Sequence, residues 1–103
     1  MPTARSGGGC ATYNGRIYVS GGELQNDRLH ATFRALEAYE PATNRWIILP
    51  SMPAALHGNA VAFIGNRLHT VSGKPEGGGL PDLAGKGTAA HDVLEIPANF
   101  GTY

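Results

Sequence analysis

The sequence predicts an all-β chain made of two tandem antiparallel units, and three observations carry that reading. Asn14-Gly15 sits between β-prone flanks and supplies two residues that tolerate positive φ, as a two-residue type I′ hairpin turn requires. Shifting the chain over itself by 51 positions sets Met1-Pro2 on Met52-Pro53, Gly7 on Gly58, Ala11 on Ala62, Arg16 on Arg67, Ile17 on Leu68 and Gly22 on Gly73. A period of about fifty residues with short strands is the mark of a propeller blade. Finally, 15 glycines and 7 prolines in 103 residues, with little helical periodicity, favour short strands and turns over helices.

The elements follow in order. Strand a of the first unit covers residues 8–13 and strand b residues 16–20; Gly21-Gly22 then stops the sheet where the backbone needs positive φ or must pass close to another segment. A polar connection over residues 23–34 leads to strand c at 35–40. Residues 41–44 form a turn, with Pro41 fixing φ and Asn44 able to close it, before strand d at 45–49. An alternative for residues 27–37 is a helical turn, because Leu29, Phe33 and Leu36 fall at helical spacing. In the second unit strand a spans 59–64, Gly65-Asn66 repeats the turn chemistry in reverse order, and strand b spans 67–71. A Gly- and Pro-rich connection at 74–90 is expected to be the most mobile part of the chain. Strand c covers 92–96, and the last residues are too short and turn-like to define strand d. The units thus divide at residues 1–51 and 52–103.

Gly21-Gly22, then Tyr39, then Trp46 after six intervening residues, with Arg5-Ser6-Gly7 opening the unit, resembles a kelch repeat. The second unit is a degenerate copy, with Ser72-Gly73 for the glycine pair, Leu94 for the tyrosine and no tryptophan. The resemblance implies four-stranded blades of a β-propeller, the second one incomplete, and places Tyr39 and Trp46 within strands c and d as blade-packing aromatics. Two blades do not close a ring, so the expected neighbours are the remaining blades of a longer chain or further copies of this one. Sheets covered on only one side leave apolar faces bare, and the isolated chain is expected to self-associate or to be marginally stable.

Eight basic and eight acidic residues cancel, which argues against the phosphate attraction that drives nucleic-acid binding. No apolar run approaches the length of a membrane span, residues 1–10 lack the apolar core of a signal peptide, and no segment assigns a compartment. Cys10, in the first strand, is expected to be a small buried side chain. Catalytic and cofactor motifs fail one by one. Gly85-Lys86 is followed by Gly87 rather than Ser or Thr, Gly7-Gly8-Gly9 opens a strand rather than a helix, and no Gly-x-Ser-x-Gly elbow occurs. No cofactor is expected.

Antiparallel order decides where function sits. The a–b and c–d turns share one end of each sheet, and the longer b–c and d–a connections share the other, where scaffolds carry binding residues. That connection face gathers Arg5, Ser6, Arg28, His30, His57 and His91 as candidate ligand-binding residues. By the resemblance, Arg5 stands at the mouth of the central channel, where kelch propellers that recognise acidic peptides pair an arginine with carboxylates. The other reading of Arg5 is a salt bridge between blades or a solvated side chain. His30, His57 and His91 match no metal-ligand spacing, so no metal site is expected; His69, in strand b, reads as packed or at a blade interface. The leading functional reading is a protein- or peptide-binding scaffold module. The competing one, also from the resemblance, is a carbohydrate-acting kelch-like enzyme, either a sugar mutarotase or epimerase or a galactose oxidase-like propeller.

Overall fold

A computed structural model describes residues 1–25, 30–75 and 88–96. The Asn-Gly pair closes the first hairpin: β1 (Gly9–Tyr13) and β2 (Arg16–Ser20) pair antiparallel from Gly9↔Ser20 to Tyr13↔Arg16. Asn14 and Gly15 take φ of 49° and 76°, the two positive values a type I′ turn needs. After the glycine pair, β3 (Glu23–Gln25) and β4 (His30–Thr32) make a small separate hairpin. This hairpin lies within what reads in the sequence as a polar connection, and the described part of the candidate helical turn contains no helix. Next, β5 (Leu36–Glu40) returns along β2, and β6 (Arg45–Leu49) follows a turn in which Asn44 adopts φ 53°. The second unit holds β7 (Ala60–Ile64), β8 (Arg67–Val71) and β9 (His91–Glu95). Its a–b turn differs from the first: Gly65 is at φ 59° while Asn66 is not positive, as in a turn with glycine at the first central position.

The result is a four-stranded meander, β1-β2-β5-β6, beside a three-stranded one, β7-β8-β9. Residues 76–87 of the long connection and 97–103 after β9 lie outside the described residues. The sheets pack face to face in strand parity. Ala11, Tyr13 and Tyr18 look toward the second sheet, and Val61, Phe63 and Leu68 look back. Phe63 stacks on Tyr13 at a centroid distance of 4.8 Å and meets Tyr18 edge-on at 5.1 Å. Leu36, Ala38, Leu49, Met52 and Ile96 join the same core. Burial raises the pKa of the Tyr18 phenol, against the pull of Arg16, so its hydroxyl stays protonated. Asn59 stitches the sheets with a polar link, its Nδ2 donating to Ser20 Oγ at 3.3 Å and Thr70 Oγ1 at 3.0 Å.

The same parity corrects the reading of Cys10. Its neighbours Gly9 and Ala11 turn toward the second sheet, so Cys10 projects from the opposite face and is exposed. Tyr39 and Trp46 do lie in β5 and β6, directly opposite each other with ring centroids 5.1 Å apart. Outward faces remain apolar on both sheets: Ile48 is 72 % exposed on the first, and Ile64 is 68 % exposed on the second.

The glycine pair is fixed by a crossing of chains. The linking segment that leaves β6 passes over the end of the first sheet, where Gly22 N donates to Leu56 O at 2.9 Å. A Cβ on Gly21 would overlap that same carbonyl oxygen, while one on Gly22 would come within 2.9 Å of Ser6 O. In the second unit Ser72 and Gly73 take φ of 63° and 107°, repeating the 68° and 105° of Gly21 and Gly22. Gly73 is constrained as Gly22 is, because a Cβ there would fall 2.9 Å from His57 O. Serine is accommodated at 72 because no segment among the described residues crosses there as Leu56 crosses Gly21.

Stability measurements can read this geometry in two places. A left-handed residue with a side chain costs about 1–2 kcal/mol, part of which the lower entropy cost of fixing serine offsets. Ser72→Gly should therefore raise unfolding free energy in urea by about 0.5–1 kcal/mol, and Gly21→Ala should lower it by about 2 kcal/mol or more. The second place is the contact of Arg16 with Glu40, paired at 2.8 Å across the a–b and c–d turn end. Hydrogen bonds from Arg16 and then Thr43 hold the Glu40 carboxyl below its ordinary pKa. A depressed carboxylate contributes its stability above the unfolded-state value, about 4.3, and loses it as pH falls through the lower folded value. The melting-temperature gap between the native protein and Glu40→Gln should thus be open at pH 7 and close below about pH 4.

Candidate functional site

Both connections of each sheet do reach one end. In the first unit Ser6 and Glu23 exchange backbone hydrogen bonds of 3.0 and 2.7 Å, so the residues before β1 and after β2 are neighbours. His57 and Lys74 repeat the exchange at 3.0 and 2.8 Å in the second. Gly58 N donates to Gly7 O at 2.7 Å and ties the two linking segments side by side. Each linking segment is thereby zipped to the start of its own b–c connection, a two-bond ladder that needs neither residue's side chain. Ser6, Glu23, His57 and Lys74 thereby sit together at the connection end.

That surface carries a cavity of about 310 Å³ lined by His57, Gly58, Ser72, Gly73 and Lys74. Its existence traces to the glycine positions: Gly58 and Gly73 present backbone where other residues would present side chains. His57 Nε2 stands 3.5 Å from Glu23 Oε2, which joins the cavity to the first unit. The group of His57, Glu23 and Lys74 can accept and donate hydrogen bonds and offers both signs of charge within one rim. Sequence reasoning finds Ser6 and His57 but misses Glu23 and Lys74. A signal for them exists, since Glu23 directly follows Gly21-Gly22, Lys74 directly follows Ser72-Gly73, and the 51-residue shift superposes one on the other.

Arg5 is the main correction. It does not stand free at a channel mouth: its side chain is 1 % exposed, and Nη2 pairs with Glu37 Oε1 at 2.8 Å, Glu37 being 3 % exposed. Nη1 donates to Gly21 O and Ala35 O, each at 2.7 Å, and Nη2 to Val19 O at 3.1 Å. Thr3 Oγ1 caps the other carboxylate oxygen of Glu37 at 2.7 Å. The fork of the guanidinium is spent on the end of its own sheet, where strand b stops and strand c begins, rather than between blades. Burial lowers the Arg5 pKa and Glu37 opposes that shift, so the guanidinium stays charged at neutral pH. In the second unit Leu56, 5 % exposed, replaces this arginine and is packed rather than paired.

The remaining candidates divide. Ser6 is exposed on the connection face and His57 lines the cavity. His91 opens β9, where its Nε2 lies 2.9 Å from Nδ1 of His69 on the outward face of the second sheet. His30 pairs with Gln25 through the backbone of β4, and Arg28 lies outside the described residues. Among the described residues, no three His, Cys, Asp or Glu side chains gather as a metal-binding group. No helix there is long and apolar enough to cross a membrane.

An antiparallel meander whose incoming and outgoing links meet at one end, stacked face to face on a second, defines a blade of a β-propeller. Residues 4–53 match the family model for the Kelch motif, and the first unit is a kelch repeat. It is 39 % identical over 66 residues to Kelch-like protein terF of Aspergillus terreus, covering 63 % of this chain and 14 % of that protein. Beta-scruin of Limulus polyphemus is 36 % identical over 73 residues, 71 % of this chain and 8 % of its own length. Kelch-like protein 15 of Homo sapiens is 34 % identical over 67 residues, 60 % and 11 % respectively. The chain therefore spans no more than 14 % of the length of these relatives.

The buried ion pair gives a direct test. Removing one partner strands the other charge away from water, which costs about 3–5 kcal/mol. Glu37→Ala should lower the unfolding free energy by that much in urea titration, and a loss below about 1 kcal/mol would show that solvent reaches the guanidinium and that the pair does not brace the sheet.

Proposed function

We propose that this chain is a protein- or peptide-binding kelch module that engages its ligand through the connection face. The observation that carries this reading is the 310 Å³ cavity bordered by His57 and Lys74, with Glu23 of the neighbouring unit at its edge. A concave, part-polar recess on a rim built from rigid strand ends suits an extended peptide, whose side chains enter the recess while the rim groups set orientation. Among the described residues, the opposite end offers tight turns at 14–15, 41–44 and 65–66, which leave little depth for a ligand. The units 1–51 and 52–103 act together in this reading, because Glu23 and Lys74 reach the site from equivalent positions of each. Arg5 has a bracing role beneath the site, so neither the acidic-peptide reading nor its carbohydrate alternative rests on a free guanidinium there.

Selection of peptides from a displayed library on the immobilised full chain supplies the test. Lys74→Glu should weaken the recovered peptides at least ten-fold by fluorescence polarisation, whereas Arg45→Glu at the turn end should leave them within two-fold. Binding that survives Lys74→Glu and is lost on Arg45→Glu would move the site to the other end and sink the proposal.

A further inference from the structure

The two units build the turn after strand b with the same backbone bonds. Gly21 N donates to Ala35 O at 3.0 Å and Ser72 N to Ala90 O at 2.8 Å; Phe33 N donates to Gly22 O and Thr88 N to Gly73 O, both at 2.9 Å. The φ values agree as well, 68° and 105° for Gly21 and Gly22 against 63° and 107° for Ser72 and Gly73. What differs is the crossing above the turn. On the first unit Gly22 N donates to Leu56 O of the incoming link, and Gly58 N of that link donates to Gly7 O. Their counterparts on the second unit, Gly73 N–H and Gly58 C=O, have no hydrogen-bond partner among the described residues, and both residues line the recess. The recess is the place that a link fills on the first unit.

Whether a further link could cover it turns on one atom. A Cβ on Gly21 would overlap Leu56 O, and Ser72, on the same backbone conformation, carries that Cβ. A carbonyl set over Ser72-Gly73 as Leu56 O is set over Gly21-Gly22 therefore meets carbon well inside van der Waals contact, where repulsion is steep. We propose that Ser72 bars a backbone from crossing the second unit as the link crosses the first, and so keeps the recess open whether a following sheet or a second copy comes up beside it. That the open recess then serves a peptide rests on its reading as the ligand site. In a second copy the segment that would cross is Arg5-Ser6-Gly7, the 51-residue counterpart of Leu56-His57-Gly58. Its crossing would bring Arg5 O to Gly73 N and Gly7 N to Gly58 O, repeating the two bonds of the internal junction. Apolar contact is non-directional, so two sheets that meet without these bonds lack the anchor that sets their register.

Sedimentation velocity over a concentration series of the full chain, with amide hydrogen exchange followed by nuclear magnetic resonance, tests this. Ser72→Gly removes the Cβ from a backbone conformation that suits glycine. It should strengthen association between copies at least ten-fold and slow exchange of the Gly73 amide as they associate. Ser72→Ala keeps the Cβ and should match the native chain within two-fold, which assigns the barrier to that carbon and not to the hydroxyl. Association of Ser72→Gly no tighter than native, or a Gly73 amide that slows as native copies associate, would overturn the proposal. The exchange measurement on native protein stands even if a variant folds poorly. Peptides selected on the native chain report on the ligand reading separately: if none is recovered while Ser72→Gly associates as expected, the barrier stands and the ligand reading falls.

Discussion

The crossing of the linking segment over Gly21-Gly22 is the constraint from which the rest of the molecule follows. For one blade to pass its chain to the next, the residues after β6 must travel over the end of their own sheet, and Leu56 does so with its carbonyl against two residues that have no side chains. This contact fixes where β7 starts relative to β1, and hence which faces of the two sheets meet. Gly58 bonded to Gly7 holds the two links parallel, and the interdigitation of Tyr13, Tyr18 and Phe63 follows from that placement. Apolar packing supplies most of the energy of such an interface, but it is nearly indifferent to sliding; the directional bonds at the crossing set the register.

Beneath that crossing lies a charged side chain held away from water. A guanidinium taken out of water needs a counterion and donors matched to acceptors, and Arg5 finds three carbonyls and a carboxylate at the end of one sheet. The three carbonyls belong to residues at the end of strand b, at the glycine pair and just before strand c. A single planar side chain therefore fixes the angle at which the b–c connection leaves the sheet. Lysine, with one ammonium and no fork, cannot serve these acceptors together. The second unit solves the same position with Leu56, an apolar plug, which shows that the fold requires the space to be filled there and not that it be charged. Outward of this brace, Ser6 with Glu23 and His57 with Lys74 are zipped in pairs through their backbones.

Both outer faces of the two-sheet stack carry exposed branched apolar residues, Ile48 on one and Ile64, Val71 and Val93 on the other. The 51-residue shift relates these faces to the ones already packed: Tyr13, which stacks on Phe63, corresponds to Ile64, and Tyr18 corresponds to His69. The exposed side of the second sheet thus occupies the place of a buried one in the first, with a histidine where the first unit buries a tyrosine. An imidazole thus stands where the first unit has a phenol.

What the sequence by itself determined was everything governed by local stereochemistry. Asn14-Gly15 and Asn44 named their turns because few residues tolerate positive φ, and strand limits for β1, β2, β5, β6, β7, β8 and β9 were legible to within one residue from alternation and punctuation. The repeat was readable because the paired positive φ at 21–22 and 72–73, and the turns at 14–15 and 65–66, call for similar residue types in both units. Tertiary structure alone decided the hairpin β3–β4, whose short strands have no periodic signal, and the outward face of Cys10, since alternation says which residues share a side but not which side is covered. It also decided the fate of Arg5. An arginine beside a glycine run reads alike whether its guanidinium meets solvent or folds back onto backbone, and the difference lies in Glu37, Val19, Gly21 and Ala35, which are distant along the chain and near only once β2 and β5 have paired.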